Sequence, residues 1–173
     1  MTAPLRLLRP RYPSVAGTAG YFYLQATHRR HAIELALGAI AALPGEPAGG
    51  FLDLDDVIRD WASDTLIQGA CLREYHHWEA DTKHYFAAAY QRHGQSLPSW
   101  KGPGSHVVKV SEQLDTFQVA LPSSLQILDA MRGNLNNLKH ESEYLVTMAD
   151  LDLLTQAVYA FWGDIGAHEI FVP

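Results

Sequence analysis

The segment MRGNLNNLKHESEY contains three side chains of different chemistry at the spacing of one helical turn. Arg132, Asn136 and His140 are four residues apart, so a continuous helix places them in one row. An imidazole exchanges protons near neutral pH, a guanidinium stabilises a pentacovalent phosphate, and an amide orients a hydroxyl. The row is therefore a candidate catalytic or RNA-contacting site. The alternative is a polar helix end, where the helix dipole favours Lys139 and His140.

A second set of ionisable residues lies in the segment LREYHHWEADTKHYF. On a helical wheel, Arg73 shares a polar stripe with four residues that could bind a metal: Glu74, His77, Asp81 and His84. Glu74 and His77 have the spacing by which diiron bundles present ligands, but such a bundle needs two of these motifs and the sequence has one. We predict no cofactor and interpret the stripe as a solvated helix face, with a metal site as the outside alternative.

The opposite face of this segment is apolar and predicts a contact with the core. It comprises Cys71, Tyr75, Trp78, Tyr85, Phe86 and Ala89. Cys71 is the single cysteine, and we expect it to be a small buried hydrophobe rather than a nucleophile. In the first predicted helix, His31 shares a side with Leu24 and Leu35, so we also expect His31 to be partly buried.

Helices must position these residues, and the sequence marks where they begin and end. Three prolines in the first 13 residues predict an extended arm, and PGEPAGG ends a first helix that spans about residues 18–43. FLDLDDVIRDW begins a second helix that continues to about His93. Residues 107–119 fit either a strand or a short helix.

Two further helices follow. Apolar residues at steps of three and four predict a third helix that packs lengthwise, with Pro122 in its first turn; they are Leu121, Leu125, Leu128, Met131, Leu135 and Leu138. Thr147 and Asp150 have the spacing of a capping box and predict the start of the last helix. We predict an all-α protein: an antiparallel bundle of four main helices over residues 18–173, with an extended N-terminal arm over residues 1–17.

Charge and hydropathy limit the location and the partners of the chain. The formal net charge is -6, yet residues 1–33 contain five arginines and no acid. Such an arm fits phosphate or the acidic body of a partner subunit, and we favour the subunit because the whole chain has no basic surplus. No run of about 18 apolar residues occurs and the start lacks a secretory signal, so we expect a soluble, cytoplasmic protein with no membrane partner.

The helical order and two motifs resemble HEPN-like proteins, the higher-eukaryote and prokaryote nucleotide-binding superfamily. The motifs are HHWE in the second helix, with Trp78 and Glu79, and NNLKHE in the third, with Lys139 and His140. The similarity is spread over residues 18–168. Seven residues separate Arg132 from His140, whereas four to six separate the arginine and histidine of the family's active motif.

This resemblance implies a function for the row in the third helix. Many members are homodimeric, metal-independent ribonucleases of toxin-antitoxin or phage-defence systems, and others are non-catalytic binding modules. By resemblance, His140 is the catalytic candidate, with Arg132 and Asn136 beside it, and RNA or a nucleotide is the ligand. An antitoxin-like protein is a further expected partner. The competing hypothesis is a non-enzymatic helical module that assembles with a partner through the arginine arm and the long second helix.

Overall fold

The computed structural model describes residues 5–10, 16–43, 54–100, 104–140 and 145–171, without the side chains of 54–56, 139 and 140. Within these ranges the chain forms five helices: α1 (Ala19–Ala41), α2 (Leu54–Gln91), α3 (His106–Thr116), α4 (Ser124–His140) and α5 (Met148–Ala167). Strand β1 (Leu8–Arg9) pairs in parallel with β2 (Ile170–Phe171), with Leu8 opposite Ile170. The predicted all-α bundle is confirmed. Residues 107–119, which the sequence left undecided, are mostly helix.

Short-range caps explain where three of the helices begin. The hydroxyl of Thr18 accepts a hydrogen bond from the backbone of Tyr21 at the start of α1, and Ser105 does the same for Val108 at the start of α3. At the start of α5, the backbone N–H of Thr147 donates to the Asp150 carboxylate at 2.8 Å, and the Thr147 hydroxyl accepts from the backbone of Asp150. The predicted capping box is confirmed.

Helix α1 lies antiparallel to α5. Phe22 stacks on Trp162 with 4.9 Å between ring centroids, and the guanidinium of Arg30 lies 2.6 Å from the Asp152 carboxylate. Residue numbers therefore rise along α1 as they fall along α5. Because Asp152 is in the first turn and a half of α5, the last turns of α1 extend past the start of α5.

Helix α1 is also antiparallel to α2. Arg92 donates to the carbonyl of Gly17 at 2.7 Å, and Arg29 lies 2.7 Å from Glu74. Continuing this register by twelve residues from Arg29 places the end of α1 level with about residue 62 of α2, since both helices rise about 1.5 Å per residue. Residues 54–66, which we call the α2 extension, therefore lie at and beyond the end of α1. The first buried residue of α2 is Ile67 among those whose side chains are described.

Aromatic side chains fill the centre of the bundle. Trp78 and Phe161 meet edge to face at 5.6 Å, and Tyr85 meets Trp162 in the same way at 5.5 Å. The whole predicted apolar face of α2 is buried, including Cys71. Burial raises the pKa of the Cys71 thiol to about 12, which keeps it protonated. The predictions for that face and for Cys71 are confirmed.

The prediction for the buried face of the first helix is wrong. The side chain of His31 is 70% exposed, and Leu24 and Leu35 are exposed with it. Helix α1 instead packs through Ala19, Phe22 and Ala26, because small residues allow the close approach to α5. Leu24 and Leu35 indicated another side of α1 because leucine is more hydrophobic than alanine and was therefore taken to mark the buried face.

The third predicted helix begins later than its apolar row. Helix α4 begins at Ser124, so Pro122 precedes it, and Leu121 is 61% exposed. Leu125, Leu128, Met131 and Leu135 are buried, as the row predicts. In the part of the chain that the structure describes, no helix is both long and apolar enough to cross a membrane.

Leu121 and Leu128, which belong to the same predicted row, provide a test of the packing. We expect Leu128→Ala to lower the free energy of unfolding by about 2–5 kcal/mol, because Leu128 is fully buried and its removal leaves a cavity. Leu121→Ala is the matched control and should change it by less than about 0.5 kcal/mol. Urea denaturation at constant slope measures both. Equal losses would contradict the position of Leu121 outside the helix.

Candidate functional site

A cleft of about 210 Å³ lies where α2, the start of α3 and α4 meet. Its lining residues come from all three elements: Leu72, Tyr75, His76, Glu79, Ser105, His106, Arg132, Leu135 and Asn136. The structure thus places Arg132 and Asn136, two of the three residues of the predicted row, on one wall. His140 is the last residue of α4, and its side chain lies outside the described residues.

Arg132 and Asn136 lie one helical turn apart on α4. The guanidinium of Arg132 is 3.3 Å from the carboxylate of Asp129, and both side chains are about half exposed. An exposed ion pair of this kind contributes only about 0.2–1 kcal/mol, so an anionic ligand can compete for the guanidinium at little cost. The α4 wall therefore offers a cation and an amide that remain accessible to a ligand.

His76 and Glu79 lie across the cleft on α2, three residues apart. Both belong to the HHWE motif, and on a helical wheel His76 lies between the apolar and the polar face of α2. A position between an apolar and a polar face is where a helix borders a groove. His76 was therefore missed as a cleft residue although its wheel position indicated one.

His106 is held firmly at the base of α3. Trp100 donates from Nε1 to Nδ1 of His106 at 3.2 Å, so the proton of the neutral ring lies on Nε2, which donates to the Thr82 hydroxyl at 2.7 Å. The Thr82 hydroxyl in turn donates to the carbonyl of Trp78 at 2.9 Å. Burial, with the nearby charges of Lys109 and Lys83, lowers the pKa of His106 to about 4. His106 is thus a neutral, fixed part of the wall.

The hydroxyl of Tyr75 is buried beside the cleft and has no hydrogen-bond partner among the residues that the structure describes. Burial and the charge of Glu79 raise its pKa, while Arg132 acts in the opposite direction. The phenol therefore stays protonated and keeps a donor to offer. An unsatisfied buried donor is costly, which makes a ligand acceptor at this position favourable.

The predicted polar stripe of α2 contains a buried ion pair instead of a metal site. Arg29 of α1 donates two hydrogen bonds to the Glu74 carboxylate, at 2.7 and 3.0 Å, and a third to Asp81 at 3.3 Å. Glu74 is only 3% exposed, so the solvated face predicted at this position is wrong. Burial lowers the pKa of Arg29, but the hydrogen bonds and charges of Glu74 and Asp81 together outweigh burial and raise it.

The metal alternative built on Glu74, His77, Asp81 and His84 is also wrong. Within the described part of the chain, no group of three or more His, Cys, Asp or Glu side chains is placed to hold a metal ion. Both carboxylates of the proposed set already bind Arg29. A helical wheel describes one helix alone, so the wheel of α2 could not show Arg29, the cation that α1 contributes.

Three of the five arginines near the start of the chain contact groups of the same chain. Arg29 binds Glu74, and Arg30 lies 2.9 Å from Glu34 and 2.6 Å from Asp152. The guanidinium of Arg9 lies over the Phe171 ring, 5.2 Å from its centroid. The expected docking of these arginines on a partner subunit is therefore wrong for Arg29 and Arg30, whose acidic partners belong to their own chain. Arg11 lies outside the described residues.

The chain was compared with protein-family models, with curated proteins and with solved structures. No family model, curated protein or solved structure matches it.

The Arg29 ion pair predicts a large loss of stability when one partner is removed. We expect Arg29→Met to lower the free energy of unfolding by about 3–5 kcal/mol, because the buried Glu74 carboxylate loses its counter-charge. Adding Glu74→Leu should recover most of the loss. Arg30→Met is the matched control and should cost about 1 kcal/mol or less, since Asp152 and Glu34 remain hydrated. Chemical denaturation measures all three, and equal costs for Arg29 and Arg30 would contradict the assignment.

The low pKa of His106 predicts a specific dependence of stability on pH. Between pH 6.5 and about 4 the unfolded chain binds a proton at this residue that the folded chain does not bind. The free energy of unfolding should therefore fall as the pH falls through this window, by up to about 1.4 kcal/mol per pH unit. Denaturant midpoints at pH 7 and pH 5 measure the difference.

His106→Gln should reduce this pH dependence, because glutamine does not titrate. His168→Gln changes an exposed histidine and is the control that should leave the dependence intact. A wild-type protein equally stable at both pH values would contradict the neutral state of His106.

Proposed function

We propose that this chain is a HEPN-like RNA-binding protein that holds the sugar–phosphate backbone of an RNA strand in the cleft between α2, α3 and α4. In the stronger form of the proposal it cleaves that strand without a metal. One observation carries the proposal: Arg132 and Asn136 line the same cleft as His76 and Glu79. A cation, an amide and a pair of proton-exchanging side chains are the groups that cleavage of a phosphodiester requires.

The size of the cleft favours a strand over a free nucleotide. Pockets that bury a whole small ligand have volumes of about 300–1,000 Å³, and this cleft has about 210 Å³. It has room for a phosphate and part of a ribose, while the base and the neighbouring nucleotides remain outside. Single-stranded RNA, whose bases are not held in a duplex, fits such a partial enclosure.

Arg132 supplies the phosphate contact in this proposal. Its planar guanidinium matches two phosphate oxygens, and the exposed Asp129 is a weak competitor for it. Asn136, one turn further along α4, is within reach of the neighbouring 2′-hydroxyl. Tyr75 adds a protonated donor below them.

Two histidines are candidates for moving the proton. His140 follows Asn136 by one turn, but eight residues of helix, about 12 Å, separate it from Arg132. A phosphate shared by these two residues requires a twofold partner that brings complementary copies together, as the homodimers of the HEPN-like superfamily would. His76 lies on the same cleft as Arg132 within one chain, so it is the candidate that needs no partner.

The toxin-antitoxin or phage-defence setting and the antitoxin-like partner belong to the same proposal. They follow from the resemblance of HHWE and NNLKHE to HEPN-like proteins. Exposed, weakly paired Arg132 supports a partner of this kind, because a protein that covers the cleft would control access to RNA.

Binding of a fluorescent single-stranded RNA in EDTA tests the first part of the proposal. We expect Arg132→Gln to weaken binding at least fivefold at low salt and to reduce its dependence on salt, because one phosphate contact is lost. Arg73→Gln, an exposed arginine of α2 outside the cleft, is the matched control and should change affinity less than twofold. No measurable binding, or equal losses for both variants, would contradict the cleft as the RNA site.

Incubation with the same RNA tests cleavage. Loss of intact RNA in wild type and its retention in His76→Ala would assign proton transfer to the cleft, whereas retention in His140→Ala would favour a dimeric site. His31→Ala, an exposed histidine of α1, is the control. A DNA strand of the same sequence should stay intact, since it has no 2′-hydroxyl. RNA that is bound but left intact by wild type would reduce the proposal to a binding protein.

A further inference from the structure

The α2 extension exposes three large apolar side chains on one side of the helix. Val57, Ile58 and Trp61 are 61%, 50% and 70% exposed. On a helical wheel they fall within about 100° of the circumference, the width of a face that normally packs against another element. Exposed clusters of this kind mark interaction sites more often than isolated apolar side chains do.

The register of the bundle explains why this face has no neighbour within the described residues. The register of Arg29 with Glu74 places the end of α1 level with about residue 62, so the extension reaches about 12 Å past it. Trp78, which contacts Phe161 of α5, lies in the part of α2 that begins at Ile67, the first buried residue of α2 among those whose side chains are described. The face is thus presented at one end of the molecule.

The same region has a formal net charge equal to that of the whole chain. Residues 31–66 contain seven acidic residues and one basic residue, whereas the chain as a whole has a formal net charge of -6. Asp60 and Asp64 are exposed, and on the wheel they lie along one border of the apolar stripe. An apolar stripe bordered by carboxylates is complementary to an apolar stripe bordered by lysine or arginine.

We propose that the α2 extension is a docking surface for a basic amphipathic helix of a partner protein. The apolar side of that helix would cover Val57, Ile58 and Trp61, and its basic residues would face Asp60 and Asp64. A second copy of this chain is a poorer occupant, because two extensions packed face to face bring like charges together. This inference goes beyond the RNA cleft and does not depend on it.

A designed 18-residue helix of leucine and lysine, labelled with fluorescein, is a suitable probe for the full-length protein. We expect its anisotropy to rise on binding at low salt and the tryptophan emission of the protein to shift to the blue. Trp61 reports the event because Trp78 and Trp162 are already buried. The matched helix of leucine and glutamate should bind at least tenfold more weakly. Equal binding of both peptides, or no binding of the lysine peptide, would overturn the proposal.

Variants assign the binding to the extension. Trp61→Ser should weaken binding at least tenfold, since large aromatic residues dominate such contacts. The double variant Asp60→Asn, Asp64→Asn should weaken it at least fivefold at low salt and approach wild type at high salt. Leu145→Ser, which changes another exposed apolar residue, and the double variant Glu112→Gln, Asp115→Asn on α3 are the controls and should stay within twofold. Equal losses in the controls would overturn the assignment.

The competing occupants have their own outcomes. In sedimentation of the protein alone, we expect no self-association through this surface. Self-association that Trp61→Ser abolishes would show that the surface joins two copies, and the proposal would fail. Phosphatidylcholine vesicles should leave the tryptophan emission unchanged, and a blue shift that Trp61→Ser removes would identify a lipid surface instead. Circular dichroism of each variant confirms that it is folded.

Discussion

The ion pair between Arg29 and Glu74 determines the arrangement of the two longest helices. Burying a carboxylate costs several kcal/mol unless a cation compensates it at short range, and two hydrogen bonds from Arg29 to Glu74 provide that compensation. Sliding α1 by one turn along α2 would separate Arg29 from Glu74 and leave this buried carboxylate without the two hydrogen bonds that compensate its charge. The ion pair thus fixes the register of α1 along α2. This register determines how much of α2 extends past α1 and which part of α2 can line the cleft.

The cleft combines a side chain that is fixed by hydrogen bonds with a side chain whose ion pair is weak. His106 is bonded through both ring nitrogens, to Trp100 and Thr82, and stays neutral at working pH. Arg132, on the opposite wall, has one exposed carboxylate as its partner. A rigid wall preserves the shape of the cleft while the accessible guanidinium can exchange its partner for a ligand. Preorganised surroundings of this kind reduce the cost of binding.

The sequence predicted the features that depend on residues close together in the chain. The capping box of Thr147 and Asp150 and the buried row from Leu125 to Leu135 follow from spacing alone, and both are confirmed. Spacing could not predict the contact of Arg29 with Glu74, because 45 residues separate them and neither residue indicates its partner. The prediction that His31 is partly buried was wrong for a related reason, since the face of a helix that becomes buried depends on which neighbouring helix approaches most closely.

The candidate site was predictable to the same extent and for the same reason. The i, i+4 spacing of Arg132 and Asn136 placed both on one edge of α4, which the structure shows, while His76 and His106 join them only through tertiary packing. The order of the four main helices and the cap of α5 could thus be derived from sequence. The composition of a wall built from three elements could not.

The acidic composition of the chain is a weak argument against an anionic ligand, because the charge is unevenly distributed. Residues 31–66 account for a formal charge of -6, so the remaining residues are neutral in sum. Asp64, the last acid of the α2 extension, is twelve residues from His76, or about 18 Å along the helix. At physiological ionic strength the screening length is about 8 Å, so the extension hardly repels an anion at the cleft. The local acids Glu79 and Asp129 matter more, and one of them already pairs with Arg132. A basic partner at one end of α2 and an RNA strand at the cleft are therefore electrostatically compatible on the same molecule.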